Sequence, residues 1–299
     1  MTSFDQLVER VRADLMGPAS DQVCTFTDWM LDGSDKVGVK LADMPADQAT
    51  RFLLELGPEL VFVSSYEPQT GNTSCPSWFR QRQGSPANDS FPPGSMAIID
   101  PRWSYWTIWQ KLVAGVNACY PNLFAVKNVE FESEPYGERY LMPSDCESIA
   151  DIRLVYPGPG NHERPIQRST LDVSNVDGNR YLFIPEVGIG GQTIRVTYRT
   201  RPVLPAPTAG SADFTTTGLP ESAADLPELY AKAALMPTPD ASRTQTSSIE
   251  QSERNKYVQA GSGSSLARLW MQMFSDRLQQ ERQKLEVLYP LRTSHRLNG

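Results

Sequence analysis

Residues 264–289 run without a single Gly or Pro, in a chain that elsewhere carries 20 Gly and 24 Pro. Pro290 then supplies a stop. Within the run, Leu266, Leu269, Trp270, Met273, Phe274, Leu278, Leu285 and Leu288 form an apolar stripe at helical spacing, and Arg268, Arg277, Arg282 and Lys284 populate the rest. At 1.5 Å per residue this helix is roughly 39 Å long. A small β unit cannot cover it fully. Its stripe must pack on another C-terminal helix, on an N-terminal helix, or on copies of itself.

Elsewhere a breaker falls about once in seven residues, which implies short strands and long connections. Ser3 and Gln6 have the spacing of a capping box, and Phe4, Leu7, Val8, Val11 and Leu15 then recur with helical period before Gly17-Pro18. From about 22 to 100 the runs VCTFT, VGVKL, ATRFLLEL, ELVFVSSY, CPSWFRQR and MAIID read as strands of a small barrel or rolled sheet, with 83–94 as a long turn. A helix over about 102–119 carries Trp103, Trp106 and Trp109, too dispersed for one narrow stripe, and is expected to be buried between layers rather than to offer a stacking platform. Six strands follow between 123 and 200, spaced as in an antiparallel sandwich. Gly188-Ile189-Gly190-Gly191 lacks a following helix and reads as a hairpin turn. A Pro/Thr/Ala/Gly linker comes next. Asp225 and Glu228 then open a short helix that stops near Pro237, with Pro239 beyond it. Residues 240–263 are Ser/Thr/Gln/Gly-rich and read as a loop that orders only in an assembly.

The expected fold is therefore α+β. It comprises an N-terminal helix, a small β-barrel-like unit and a buried helix (1–122), an antiparallel β-sandwich-like unit (123–201), a linker (202–224), and a C-terminal helical region with one long helix and a basic tail (225–299).

Charge narrows the function. The formal net charge is −7. Residues 251–299 hold eight Lys/Arg against four Asp/Glu, which leaves 20 against 31 in residues 1–250. An acidic body argues against a dedicated nucleic-acid binder, and a basic tail points to a partner. The N-terminus has no basic start followed by an apolar run, and no stretch is long and apolar enough to span a membrane. Cys24, Cys75, Cys119 and Cys146 are widely spaced and read as reduced thiols. The only histidines, His162 and His295, are poorly placed for a triad or a zinc site, so no cofactor or metal is expected. Catalysis is left with carboxylates. Glu130, Glu132 and Glu134 share a strand face near Asp145, Glu147 and Asp151, a spacing a glycosidase pair can use but one that more often marks a solvent face. The chain is expected not to be an enzyme.

The order of blocks resembles the head-to-tail connector (adaptor) proteins of tailed bacteriophages, especially those of actinobacteria. The segment WFRQRQGSPANDSFPPGSMAIIDPRW leads through Asp100-Pro101-Arg102-Trp103 into a helix and then to Phe124-Ala125-Val126-Lys127-Asn128-Val129. TIRVTYRTRPVLPA, Thr-Thr-Thr-Gly-Leu-Pro at 215–220 and SSLARLWMQMFSDRLQQERQKLEVLYPLR complete the pattern, and together these cover about two thirds of the chain. Gln83-Gly84 stands where the family has Arg-Gly.

The resemblance implies a structural virion protein, made in the host cytoplasm and located at the neck. It implies a homo-oligomeric ring, commonly a dodecamer, between the portal protein and a downstream neck or tail protein, with genomic DNA passing through without specific binding. Leu266, Leu269, Trp270, Met273, Arg277 and Arg282 are then expected at the subunit interface. Leu291, Arg292, His295, Arg296 and Leu297 are expected to dock on the portal. Two readings of other classes are a carbohydrate- or receptor-binding β module, which requires an exposed aromatic platform, and a tail-associated glycosidase.

Overall fold

A computed structural model describes residues 2–16, 22–26, 30–31, 41–44, 51–57, 59–67, 72–74, 90–91, 94–133, 139–156, 163–166, 169–173, 179–185, 190–206, 212–236 and 262–290. Gly17-Pro18, Cys75, Gln83-Gly84, Glu134, His162, Gly188-Ile189, Pro237, Pro239, most of the 240–263 segment and the whole 291–299 tail lie outside the described residues. The chain divides into two compact units. The first is 1–115 with 205–214 and 224–274; the second is 116–204 with 215–223 and 275–299. The helical region expected at the C-terminus is thus shared between them.

The first unit begins with helix α1 (Phe4–Met16). Its capping box forms as the sequence implies: the Gln6 N–H donates to Ser3 Oγ at 3.3 Å, and the Ser3 N–H donates to Gln6 Oε1 at 3.2 Å. Strands β1 (Gln22–Phe26), β2 (Met30–Leu31), β3 (Leu41–Ala42), β4 (Phe52–Leu56), β5 (Glu59–Val63), β6 (Ser65–Glu67), β7 (Asn72–Ser74), β8 (Ser90–Phe91) and β9 (Met96–Ile99) follow. Five of them make an antiparallel sheet in the order β3-β1-β9-β4-β5, and β2-β8 and β6-β7 are separate antiparallel pairs. Among the described residues this sheet is open, with β3 and β5 at its edges, so the barrel-like expectation is corrected to an open sheet. Phe26, Phe52, Leu54, Leu56, Val61, Val63 and Ile99 bury one apolar face.

Asp100 shows why the step after β9 needs its residue type. Its backbone is left-handed, with φ of 44°. Its N–H donates to the Leu53 carbonyl and its Oδ1 accepts the Leu53 N–H, both at 2.8 Å. A short acceptor side chain tolerates this conformation and completes the ladder just before Pro101 turns the chain away.

Helix α2 (Tyr105–Cys119) buries Ile108, Trp109, Leu112, Val116 and Cys119, and Trp103 is buried just ahead of it. Trp103 and Trp109 are core, as expected, and Trp106 is half-buried. Phe4 of α1 lies 5.2 Å from the Trp109 ring and 6.0 Å from that of Phe214. Glu55 of β4 is a buried carboxylate that joins three elements. It accepts from the Arg12 guanidinium of α1 and, through Oε2, from the first N–H of α2 at Tyr105, 2.7 Å away. An acceptor at a helix N-terminus satisfies an orphan donor and complements the dipole.

Helix α3 (Asp225–Leu235) has no side-chain cap: Ala224 occupies the N-cap and Glu228 reaches forward to Lys232 at 2.5 Å instead. Lys232 is buried and also pairs with Asp14 of α1. The expected capping box therefore gives way to ion pairs that hold the buried Lys232 between α1 and α3.

The second unit holds β10 (Ala125–Glu132), β11 (Arg139–Leu141), β12 (Ser148–Val155), β13 (Glu163–Pro165), β14 (Thr170–Val173), β15 (Arg180–Phe183) and β16 (Thr193–Thr200). They form two antiparallel sheets, β10-β16-β12-β13 and β11-β15-β14. Both line one core, in which Ile152, Ile194, Val196 and Tyr198 of the larger sheet join Tyr140 and Leu182 of the smaller one. That is the sandwich-like unit of the sequence. The 202–224 linker is not free. In the first unit the Phe214 N–H donates to the Thr2 carbonyl at 2.9 Å, and Phe214 is fully buried. In the second unit the Val203 N–H donates to Thr217 at 3.0 Å, and Thr217 and Leu219 are buried. Helix α4 (Ser262–Leu288) closes the list of elements.

Gly115 of α2 tests which effect governs the α2–α3 contact. A Cβ there would sit 2.8 Å from Pro227 Cα and 3.1 Å from Tyr230 Cβ. Helix propensity alone favours Gly115→Ala by about 1 kcal/mol. Overpacking against backbone typically costs about 1–3 kcal/mol, so the net expectation is destabilisation. A urea midpoint that rises in the variant would show that α3 does not press on α2.

Candidate assembly surface

Helix α4 has 27 residues and is about 40 Å long. Ala267, Phe274, Leu278, Glu281 and Leu285 are buried and fall on one face, since their spacings of three, four and seven residues keep within a narrow arc. In the first unit Phe274 meets Tyr230 of α3 edge-on at 5.6 Å. In the second unit the cover is polar as well as apolar. Glu281, only 2% exposed, accepts from Ser222 Oγ at 2.7 Å, Lys284 at 2.6 Å and Arg277 at 3.2 Å. Arg277 also donates to the Ser222 carbonyl at 3.0 Å. Arg282 donates to Asn122 Oδ1 at 3.2 Å and pairs with Glu286 at 2.8 Å. The carbonyl of Tyr289, just past the helix, accepts from the Arg199 guanidinium. Arg199 lies 4.1 Å from the Phe124 ring centre, and burial lowers its pKa although Glu286 opposes the shift. A cation at this end complements the helix dipole.

A second row lies to one side of the buried one. Leu266, Leu269, Met273, Gln280 and Val287 recur at helical spacing, roughly a quarter to two fifths of a turn from the buried row. Leu269 is 51% exposed, Met273 44%, Val287 82% and the neighbouring Leu288 70%. Gln280, Gln283, Lys284, Val287 and Leu288 line a shallow depression at the C-terminal end. Of the residues the sequence proposes for a subunit interface, Leu269 and Met273 are exposed on this face, and Leu266 and Trp270 are half-buried. Arg277 and Arg282 are engaged inside their own chain. The portal-docking residues Leu291, Arg292, His295, Arg296 and Leu297 lie outside the described residues.

Sequence reasoning missed Glu281, Ser222 and Arg199. Glu281 sits seven residues after Phe274 in the buried row, a signal that was available; Ser222 and Arg199 come from distant segments and left none.

Several carboxylates of the second unit pair with cations. Glu130 pairs across strands with Arg195 at 2.9 Å, Asp151 with Arg153 at 2.6 Å and Glu147 with Arg201 at 2.8 Å. Glu163 bridges Arg153 at 2.8 Å and Arg195 at 2.5 Å. Lys127, at 2.7 Å, holds Asp145 below its ordinary pKa despite some desolvation, and Tyr198 Oη donates to Asp145 at 3.2 Å. Glu130 and Glu132 are exposed on the polar face of β10, the arrangement of a solvated sheet surface. Cys24, Cys119 and Cys146 are buried thiols. Desolvation pushes the Cys24 thiol up to about 12 and Cys146 to about 11, which suppresses thiolate chemistry. Among the described residues no group of three His, Cys, Asp or Glu side chains could hold a metal ion, and no helix is long and apolar enough to cross a membrane.

No family model matches the chain, and no curated protein is significantly similar to it.

Glu281 yields a pH prediction. Burial works to raise its pKa, but hydrogen bonds from Lys284 and Ser222 outweigh that and lower it from the ordinary 4.5. A depressed carboxylate contributes stability that is present above the unfolded value, about 4.5, and is lost as pH falls through the folded one. Glu281→Gln should therefore destabilise the protein at pH 7 by roughly 1–3 kcal/mol. The gap between variant and wild type should close below pH 4.5 in thermal melts across pH. A gap independent of pH would show that the charge of Glu281 plays no part.

Proposed function

We propose that this chain is a subunit of a homo-oligomeric ring in the virion neck, a head-to-tail connector that sits below the portal, continues the DNA channel and joins capsid to tail. The observation that carries the reading is the second row of α4. One face of the helix is already buried within the chain, and Leu269, Met273 and Val287 repeat at helical period to one side of it. Exposed apolar residues scattered singly need no explanation, whereas a row in register along a braced helix is what a neighbouring copy can cover.

The order of sequence blocks supplies the family. The charge pattern agrees with it: a body of 31 acidic against 20 basic residues repels phosphate, so DNA slides without sticking. Arg277 and Arg282 act in this reading as braces that hold α4 in place for its neighbour. The tail, with Arg292 and Arg296 as donors and Leu291 and Leu297 as anchors, docks on the portal.

Leu269→Asp with Met273→Asp should leave circular dichroism and melting temperature nearly unchanged, because both side chains are solvent-facing in the subunit. The variant should fail to form rings with the portal in negative-stain images, where the wild-type chain forms them in register. Normal rings from the variant would remove α4 from the interface. Deleting 291–299 should separately abolish portal binding without changing the fold; unaltered portal binding would refute the docking role of the tail.

A further inference from the structure

The smaller sheet of the second unit has an outer face that the assembly reading does not use. Cross-strand register places Arg139, Phe183 and Thr170 in one row and Leu141, Tyr181 and Asp172 in the next. Residues two apart on a strand share a face, so these six form one two-row grid. The intervening row, Tyr140, Leu182 and Leu171, turns to the core on the other face. The grid is open. Leu141 is 55% exposed, Arg139, Thr170 and Asp172 are exposed, and Tyr181 and Phe183 are half-buried. Arg139, Thr170, Asp172, Tyr181 and Phe183 line a hollow of about 490 Å³. That is within the range of small-ligand sites, about 300–1,000 Å³.

The chemistry of this hollow selects a ligand class. Its floor is two aromatic side chains about 7 Å apart along the central strand. Its rims are one cation on β11 and one anion with a hydroxyl on β14. A phosphate-bearing ligand would meet Asp172, and a cationic one would meet Arg139. A wholly apolar ligand would desolvate both charges and offer them no hydrogen bond in return, which is costly. A neutral polyol ring fits all parts at once. Its C–H face, with partial positive charge on hydrogen, lies on the negative faces of the aromatic rings. Its hydroxyls donate to a carboxylate and accept from a guanidinium, and an ionised carboxylate has about four acceptor positions, so contacts made elsewhere leave it able to accept.

We propose that the outer face of the β11-β15-β14 sheet binds a sugar ring of a neutral glycan, stacked on Tyr181 and Phe183 with its hydroxyls held by Arg139 and Asp172. The binding site itself does not depend on the α4 surface. Its avidity rests on the assembly reading, in which many copies multiply a modest single-site affinity.

The test uses the full-length chain and three neutral probes, maltoheptaose, cellohexaose and chitohexaose, followed by saturation-transfer NMR and titration calorimetry. At least one should bind with a Kd in the millimolar range or tighter, with saturation strongest on ring C–H protons. Tyr181→Ala and Phe183→Ala should each weaken binding about tenfold, and Asp172→Asn and Arg139→Gln by severalfold. The last two sit at exposed positions, so they keep the test valid if an aromatic substitution disturbs folding. Lack of binding to all three probes up to about 10 mM would overturn the proposal, as would binding undiminished by the substitutions. Preferential binding of adenosine monophosphate at the same residues would also overturn it. So would loss of self-association, without any sugar binding, in the aromatic variants, because the face would then be a contact between copies.

Discussion

A helix that must stay in place while one side remains uncovered needs its other side held by more than apolar contact, and α4 is held in that way. Phe274, Leu278 and Leu285 supply the buried apolar face. Glu281 sits in the same row with Ser222, Lys284 and Arg277 around it. A buried carboxylate is tolerable only when its acceptor positions are met, and once they are met the geometry is narrow. Arg199 does the same at the far end by engaging the Tyr289 carbonyl. Within the second unit the helix is thereby fixed in rotation with Val287 outward, and in the first unit Leu269 and Met273 are exposed. A surface meant for a neighbouring copy gains from this order, because less side-chain and backbone freedom is lost on association.

The same device recurs in the first unit. Glu55 lies under Arg12 and the N-terminus of α2, and Lys232 lies between Asp14 and Glu228. Each buried charge meets partners from more than one element. Glu55 also lines a hollow of about 300 Å³ with Glu9, Arg12 and Tyr105, and in the second unit Glu130, Asp151, Glu147 and Asp145 pair with Arg or Lys. The buried thiols are raised well above neutrality by desolvation.

Much of the fold was legible because it rests on local rules. The Ser3/Gln6 capping box, the ends of α1, α2 and α4, and the alternating strands β10, β12 and β16 follow from period and punctuation over a few residues. Less was legible wherever a segment's partner is far along the chain. The Pro/Thr-rich stretch after residue 202 reads as a linker, yet Phe214, Thr217 and Leu219 are buried by distant residues. Asp225 and Glu228 have the spacing of a cap, yet Glu228 is claimed by Lys232, itself drawn toward Asp14 of α1. In the β region before residue 100, short strands do not reveal whether a sheet closes, because closure depends on pairing between the first and last strands rather than on any one of them.

The sequence by itself determined that α4 exists, that it is amphipathic, and that its apolar surface exceeds what one small unit can cover. Those are properties of spacing and length, written into 264–289. Which apolar residues go inward was decided only by the tertiary structure: Leu288 belongs to the sequence stripe but is exposed, and the acidic Glu281 takes a buried place. The physical reason is that rotation of a helix about its axis is set by its neighbours. Here those are Tyr230 in one unit and Ser222, Asn122 and Arg199 in the other, brought to it by folding from segments that carry no mark of the encounter.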